Sequence, residues 1–179
     1  GTTRVAGVFG RPVRHSLSPV FQNAAFEAAG IDCVYVPMEV EPADLGRAVA
    51  AIRALGFLGV NCTIPHKETV IPFLDEVAPD AARLGSVNTV RNDGGRLSGF
   101  GTDGPGFLRS LRGDGGFDPA GRAVFIAGAG GSAAAIAGAL AGAGAARILV
   151  CNRTEARAEA LCRRIRERFG YAAIETAPF

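Results

Sequence analysis

Apolar residues along the N-terminal half come in short runs separated by stretches with a helical rhythm. Val5 to Phe9 reads as a short apolar strand, and the loop from Gly10 to Pro19 follows it. Ser18 suits an N-cap and Pro19 the first helical position of a helix running to Ala29, with Gly30 just past its end. Val34 to Met38 is a second strand. From Pro42 to Leu55 the positions Leu45, Val49, Ile52 and Leu55 recur at helical spacing, and Gly56 ends that helix. Gly59 to Thr63 is a third strand. Strand, helix, strand, helix, strand predicts a parallel sheet with right-handed crossovers, whose ligands collect beyond the carboxyl ends of the strands.

The pattern then shortens. Two helical pieces, Glu68 to Phe73 and Asp80 to Leu84, are limited by Pro72 and Pro79. Ser86 to Arg91 and Arg96 to Phe100 flank Asn92-Asp93-Gly94-Gly95, a hairpin signal that adds an antiparallel pair. Gly101 to Gly106 has the glycines of a hinge, and Pro105 to Leu111 a short helix. After a loop from Asp114 to Gly121, Ala123 to Ala127 is expected to be a buried strand. It turns at Gly128-Ala129-Gly130-Gly131-Ser132-Ala133 into a helix of small residues ending near Gly142, and Arg147 to Cys151 is the next strand. The expected class is α/β with two domains: residues 1–103 with a mostly parallel sheet, and residues 104–179.

Of 179 residues, 48% are apolar and 20% charged, enough for a globular core. No apolar run is long enough to cross a membrane, and Gly1-Thr2-Thr3-Arg4-Val5 leads straight into a strand instead of a signal peptide, so a cytoplasmic protein is expected. The cysteines at 33, 62, 151 and 162 form no C-x-x-C pair, which argues against zinc and disulfides. Residues 1–103 hold nine Lys/Arg against eleven Asp/Glu and the rest ten against six, about −2 and +4. The basic half suits a polyanionic small molecule. Nucleic acid fits less well, because aromatics are scarce and the arginines mostly share one polar helix face.

Chemistry concentrates at the strand ends. Lys67 is the only lysine, placed after Pro65 in a first helical turn where the macrodipole disfavours a cation. A lysine can release its proton when its surroundings are tuned and arginine cannot, so Lys67 is either a site residue or a solvated surface cation. Ser16 and Ser18, two apart at a strand-to-helix turn, can both face a carboxylate, although Ser18 is equally suited to a cap. His15 reads as a loop residue. Asn88 offers a donor and an acceptor to a polyol, and Asp103 is either a carboxylate of the site or a helix cap. Gly128, Ala129, Gly130, Gly131 and Ser132, between a strand and a helix and with Ala133 completing G-x-G-x-x-A, indicate a dinucleotide pyrophosphate. At the end of the next strand, Asn152-Arg153-Thr154-Glu155-Ala156-Arg157 replaces the acidic residue typical of NAD sites. Arg153 and Arg157, one helical turn apart, favour a 2′-phosphate, with Thr154 capping the helix and Asn152 on ribose or adenine. Arg157 paired with Glu155 or Glu159 is the plainer alternative, and Arg163, Arg164, Arg166 and Arg168 read as a solvated face.

Taken together, His15 to Pro19, Asn61 to Lys67, Val87-Asn88-Thr89, Thr102-Asp103-Gly104, Gly128 to Ser132 and Asn152-Arg153-Thr154 resemble shikimate dehydrogenase, motif after motif and in order. The resemblance implies a substrate domain followed by an NADP-binding Rossmann domain, and NADPH-dependent reduction of 3-dehydroshikimate to shikimate in aromatic amino acid biosynthesis. It implies that Ser16 and Ser18 hold the substrate carboxylate, that Thr63, Asn88 and Asp103 bind its hydroxyls, and that Lys67 and Asp103 form the catalytic pair. A small-molecule substrate is implied, neither nucleic acid nor membrane is expected as partner, and a homodimer is compatible with the resemblance. Two departures stand out: Gly101 where the family usually has Asn, and an end at Phe179, inside the Rossmann domain, which predicts an incomplete nucleotide-binding half. A quinate/shikimate or aminoshikimate dehydrogenase, and a non-catalytic NADP-binding protein of the same fold, are the rival readings.

Overall fold

Strand β1 (Arg4–Gly10) lies between β2 (Cys33–Glu39) and β3 (Gly59–Cys62), parallel to both, in the computed structural model, which describes residues 1–179. The connections are helices α1 (Ser18–Ala28) and α2 (Leu45–Ala54), the latter led in by a 3₁₀ turn at Pro42–Asp44. A short helix α3 (His66–Thr69), a 3₁₀ turn at Ile71–Phe73, strand β4 (Glu76–Val77) and helix α4 (Pro79–Leu84) precede the hairpin of β5 (Thr89–Asp93) and β6 (Arg96–Phe100). The sheet order is β2-β1-β3-β5-β6-β4, with β5 antiparallel to both neighbours and β4 parallel to β6. Gly94 and Gly95, at φ +58° and +97°, make the two-residue turn between paired Asp93 and Arg96, a conformation that a side chain would strain.

Period-two alternation along β1 feeds two cores. Ala6 and Val8 join Val13 and Tyr35 in one, while Phe9 joins Val49, Ile52, Val60, Cys62, Val70, Val87, Val90 and Leu97 in the other. Gly7 sits where an added Cβ would lie 2.3 Å from the Val36 carbonyl oxygen and 2.4 Å from the Met38 methyl carbon. Leu45, Val49 and Ile52 are buried as their spacing predicts, but Leu55 is 67% exposed because it caps α2 beyond the buried stripe. Ser18 is the first residue of α1 and not its N-cap. Leu17 holds the cap position, and the Ser18 amide donates to Ser16 Oγ at 3.2 Å.

The chain divides between Phe100 and Gly101 into two compact units, Gly1–Phe100 and Gly101–Phe179. The division precedes Asp103 because helix α5 (Asp103–Gly113) starts there, two residues earlier than the proline predicts, and packs on α6 (Gly131–Gly142). A Cβ on Gly104 would lie 2.9 Å from the Ala135 carbonyl oxygen and 3.0 Å from Ala139 Cβ, so the helices meet backbone to backbone. Strands β7 (Ala123–Ala127), β8 (Arg147–Cys151) and β9 (Ile174–Thr176) form a parallel sheet in that order, with α7 (Glu155–Phe169) between the last two.

The expectation of a buried strand at 123–127 is corrected: its residues alternate exposed and half-buried, and Phe125 is 59% exposed. Within residues 1–179 β7 pairs with β8 alone and is less covered than β8, whose Ile148 and Val150 are fully buried between two strands. Arg166 also departs from a purely solvated face, since its guanidinium donates twice to the Ile174 carbonyl and ties α7 to β9. No helix is long and apolar enough to cross a membrane.

Candidate active site

The loop that carries Ser16 and Ser18 leaves β1 beside the turn that carries Thr63 and Lys67. Parallel pairing of β1 with β3 forces this, and backbone bonds lock it: Thr63 N–H donates to the Phe9 carbonyl and Arg11 N–H to the Ile64 carbonyl, both at 2.9 Å. Gly10 and Thr63 are so close that a Cβ at residue 10 would lie 2.5 Å from Thr63 Cγ2. Asn88 arrives at the same end because β5 runs antiparallel to β3, and its carbonyl accepts the Cys62 N–H at 2.9 Å. Lys67 is tied to the same segment through its carbonyl, which accepts Val87 N–H at 2.8 Å. Ser16, Ser18, Thr63, Lys67 and Asn88 thus gather at the carboxyl end of β1 and β3.

Asn61, inside the apolar strand β3, reads from sequence as no more than part of that strand. Its Oδ1 accepts the Tyr35 hydroxyl at 2.6 Å, and its Nδ2 donates to the Asn88 carbonyl at 3.1 Å and to Thr89 Oγ1 at 3.0 Å. The amide thereby links β2, β3 and the start of β5 and fixes the backbone that presents Asn88. An amide in the middle of a buried strand was the available signal, since a buried polar side chain needs partners. Burial pushes the Tyr35 hydroxyl up to about 12, so it remains a donor throughout the neutral range.

His66, directly before Lys67, is fully buried, with Nε2 2.8 Å from the Val40 carbonyl and Nδ1 without a partner. A carbonyl only accepts, so Nε2 carries the hydrogen and pins the lysine-bearing turn to the end of β2. Lys67 itself is half-buried and engaged by polar neighbours. Cys62 beneath it is pushed up to about 12, by burial first and against the opposing pull of the Lys67 charge. A neutral, buried thiol is no nucleophile.

In the second unit, Gly128 adopts φ +119°, donates its N–H to the Cys151 carbonyl at 2.7 Å, and Gly130 stands at the N-cap of α6 without any side-chain cap. No atom lies within 4 Å of a Cβ added at either glycine, so the approach to the α6 amides is open, as a pyrophosphate requires. Ala129, Gly131 and Ser132 complete that turn.

Across β8, Asn152, Arg153, Glu155, Ala158, Thr176 and Phe179 line a concavity of about 460 Å³. Arg157 follows one turn into α7, and neither its guanidinium nor that of Arg153 is engaged in an ion pair, with Glu155, Glu159 or otherwise. The two remain available to an anionic group, which fits a 2′-phosphate. Thr154 occupies the N-cap of α7 as expected but makes no side-chain cap bond. Its carbonyl instead accepts Asn152 Nδ2 at 2.8 Å and Arg157 N–H at 3.0 Å. Asp103 is half-buried in the first turn of α5, after an N-cap at Thr102, so it is not the cap.

Two family models match: the shikimate dehydrogenase substrate binding domain over residues 8–90, and shikimate / quinate 5-dehydrogenase over residues 116–178. Shikimate dehydrogenase (NADP(+)) of Geobacter metallireducens is 51% identical over 178 residues, covering 99% of this chain and 62% of that protein. The chain therefore spans about three fifths of the length of this curated relative. Among solved structures, shikimate 5-dehydrogenase from Thermus thermophilus in complex with NADP(H) and shikimate superposes at a TM-score of 0.86 with 41% identity, covering 98% of this chain and 63% of that one. Quinate dehydrogenase from Corynebacterium glutamicum in complex with NAD does so at 0.90 with 34% identity, over 98% and 64%.

Proposed function

Because the chain belongs to the shikimate dehydrogenase family, we propose that its protein catalyses the reversible NADPH-dependent reduction of 3-dehydroshikimate to shikimate, in the cytoplasm and toward aromatic amino acids. The observation that carries this reading is the convergence of Ser16, Ser18, Thr63, Lys67 and Asn88 at one end of a single sheet. Two serine hydroxyls suit the substrate carboxylate. Thr63, Asn88 and Asp103 suit its ring hydroxyls, and the turn from Gly128 to Ser132 together with Asn152, Arg153, Thr154 and Arg157 suits a phosphorylated dinucleotide.

The bound nicotinamide supplies the hydride. Reduction of the ketone builds negative charge on the substrate oxygen, and the Lys67 ammonium stabilises that charge and then gives up a proton to make the alcohol. The lysine is left as the neutral amine and recovers its proton from solvent. In the oxidative direction neutral Lys67 takes the hydroxyl proton as hydride leaves. Asp103, as a carboxylate, would accept a hydrogen bond from a substrate hydroxyl.

The test uses the full-length natural polypeptide with shikimate and either NADP+ or NAD+, following reduced nicotinamide by absorbance. Turnover with NADP+ and shikimate is expected, and no signal with any cyclic polyol acid would sink the reading. The likeness to a quinate dehydrogenase holding NAD supports a second reading, a quinate/shikimate enzyme, which a faster NAD+ reaction with quinate would establish. Arg153 and Arg157 weigh toward the first.

A further inference from the structure

We propose that Glu39 is a positioning residue for the substrate carboxylate, holding the serine loop in shape through Arg11 and Arg14; this rests on the reading that Ser16 and Ser18 bind that carboxylate. Glu39 is the last residue of β2 and pairs in register with Gly10, the last residue of β1, so its side chain stands at the root of the loop. One carboxylate oxygen accepts Arg11 Nη1 and the other accepts Arg14 Nε at 2.8 Å. Arg11 also reaches Glu41 at 2.9 Å. The Glu39 side chain is only 22% exposed, and hydrogen bonds from Arg14 and then Arg11 hold its carboxyl below the usual carboxylate range.

The rest of the loop shows why this clamp matters. Its root is fixed to the sheet by Gly10 O accepting Val40 N–H, by Arg11 N–H on Ile64 O, and by the buried Val13 side chain. Beyond Val13 the bonds turn local: Ser16 N–H to the Val13 carbonyl at 3.0 Å and Ser18 N–H to Ser16 Oγ at 3.2 Å. Arg14 to Glu39 ties the stretch between Val13 and Ser16 back to β2, while Asn23 anchors Pro19, just past Ser18, to the same strand. The Arg14 to Glu39 contact also holds a guanidinium whose side chain stays 90% exposed, which would compete with the serines for a carboxylate if released.

The experiment is Glu39→Gln in the full-length polypeptide. Hydrogen exchange over residues 13–18 is expected to quicken, and KM for shikimate to rise about tenfold with kcat and the KM for NADP+ held, the split expected when a binding group is misplaced. Arg14→Gln should act in the same direction, and the double variant should be no worse than either single one. Since the Arg14 side chain is 90% exposed, that variant carries the test should Glu39→Gln fail to fold. Unchanged exchange overturns the clamp. Faster exchange with an unchanged or lowered KM overturns the positioning role, and a lowered KM would make Arg14 itself the carboxylate ligand. A natural enzyme inert toward shikimate overturns the reading of the reaction, while the exchange result still decides the clamp.

Discussion

Lys67 is the residue on which the proposed chemistry turns, because the charge it meets grows only as the substrate oxygen becomes an alkoxide. Lys67→Met is expected to lower kcat by about 10²- to 10⁴-fold with a much smaller change in KM, measured as steady-state shikimate oxidation. Lys67→Arg should fail to restore the rate, since a guanidinium does not release its proton. Two neighbouring groups set the alkaline behaviour. Cys62 is raised from 9.0 to about 12 and Tyr35 from 10.0 to about 12, each chiefly by burial. Above an unfolded value of 9.0 the unfolded chain loses the thiol proton while the folded chain keeps it. Stability therefore falls from there up to about pH 12, where the native thiol also ionises. A Cys62→Ala, Tyr35→Phe double variant is expected to lose thermal stability less steeply with pH in that window than the natural protein, as followed by circular dichroism.

At the scale of elements, β2 is the open edge of the six-stranded sheet, and α1 closes it with one side chain. Asn23 donates to the Pro19 carbonyl at 2.7 Å and to the Tyr35 carbonyl at 2.9 Å, and accepts Tyr35 N–H at 2.8 Å. With Pro37 removing a further donor from the same strand, the edge is a poor template for another chain. Asn23→Ala strips partners from the backbone of buried Tyr35 on this edge strand and is expected to destabilise the first unit by about 1–3 kcal/mol, measured by denaturant unfolding. The element pattern was largely legible because apolar spacing reports which face is covered, and the strands of the second unit at 123–127 and 147–151 appear with the boundaries expected. What was not legible depends on neighbours. Nothing in Ser18-Pro19 says that the preceding Ser16 supplies the acceptor for the first helical amide. Likewise, Asn61 and Glu39 act on partners 27 and 25 residues away, beyond any local motif.

For the whole molecule, the division at Phe100 separates the lysine-bearing sheet from the glycine turn and its arginines, and each unit has its own buried set. The first unit closes two cores around a complete run of six strands. Residues 1–100 expressed alone are therefore expected to melt cooperatively, and a broad, non-cooperative transition in calorimetry would refute their independence.

By itself the amino-acid sequence determined the α/β class, the succession of strands and helices, the single lysine and the glycine turn, and an arginine pair suited to a phosphorylated nucleotide. Those features are local, written in spacing, in backbone freedom at glycine and proline, and in side-chain charge. Only the tertiary structure decided that Asn88 joins Lys67 and the serine loop at that sheet end, and that Glu39 grips the loop. Strand order and register bring residues together across tens of positions, and pairing energy, unlike periodicity, leaves no repeat in the sequence to read.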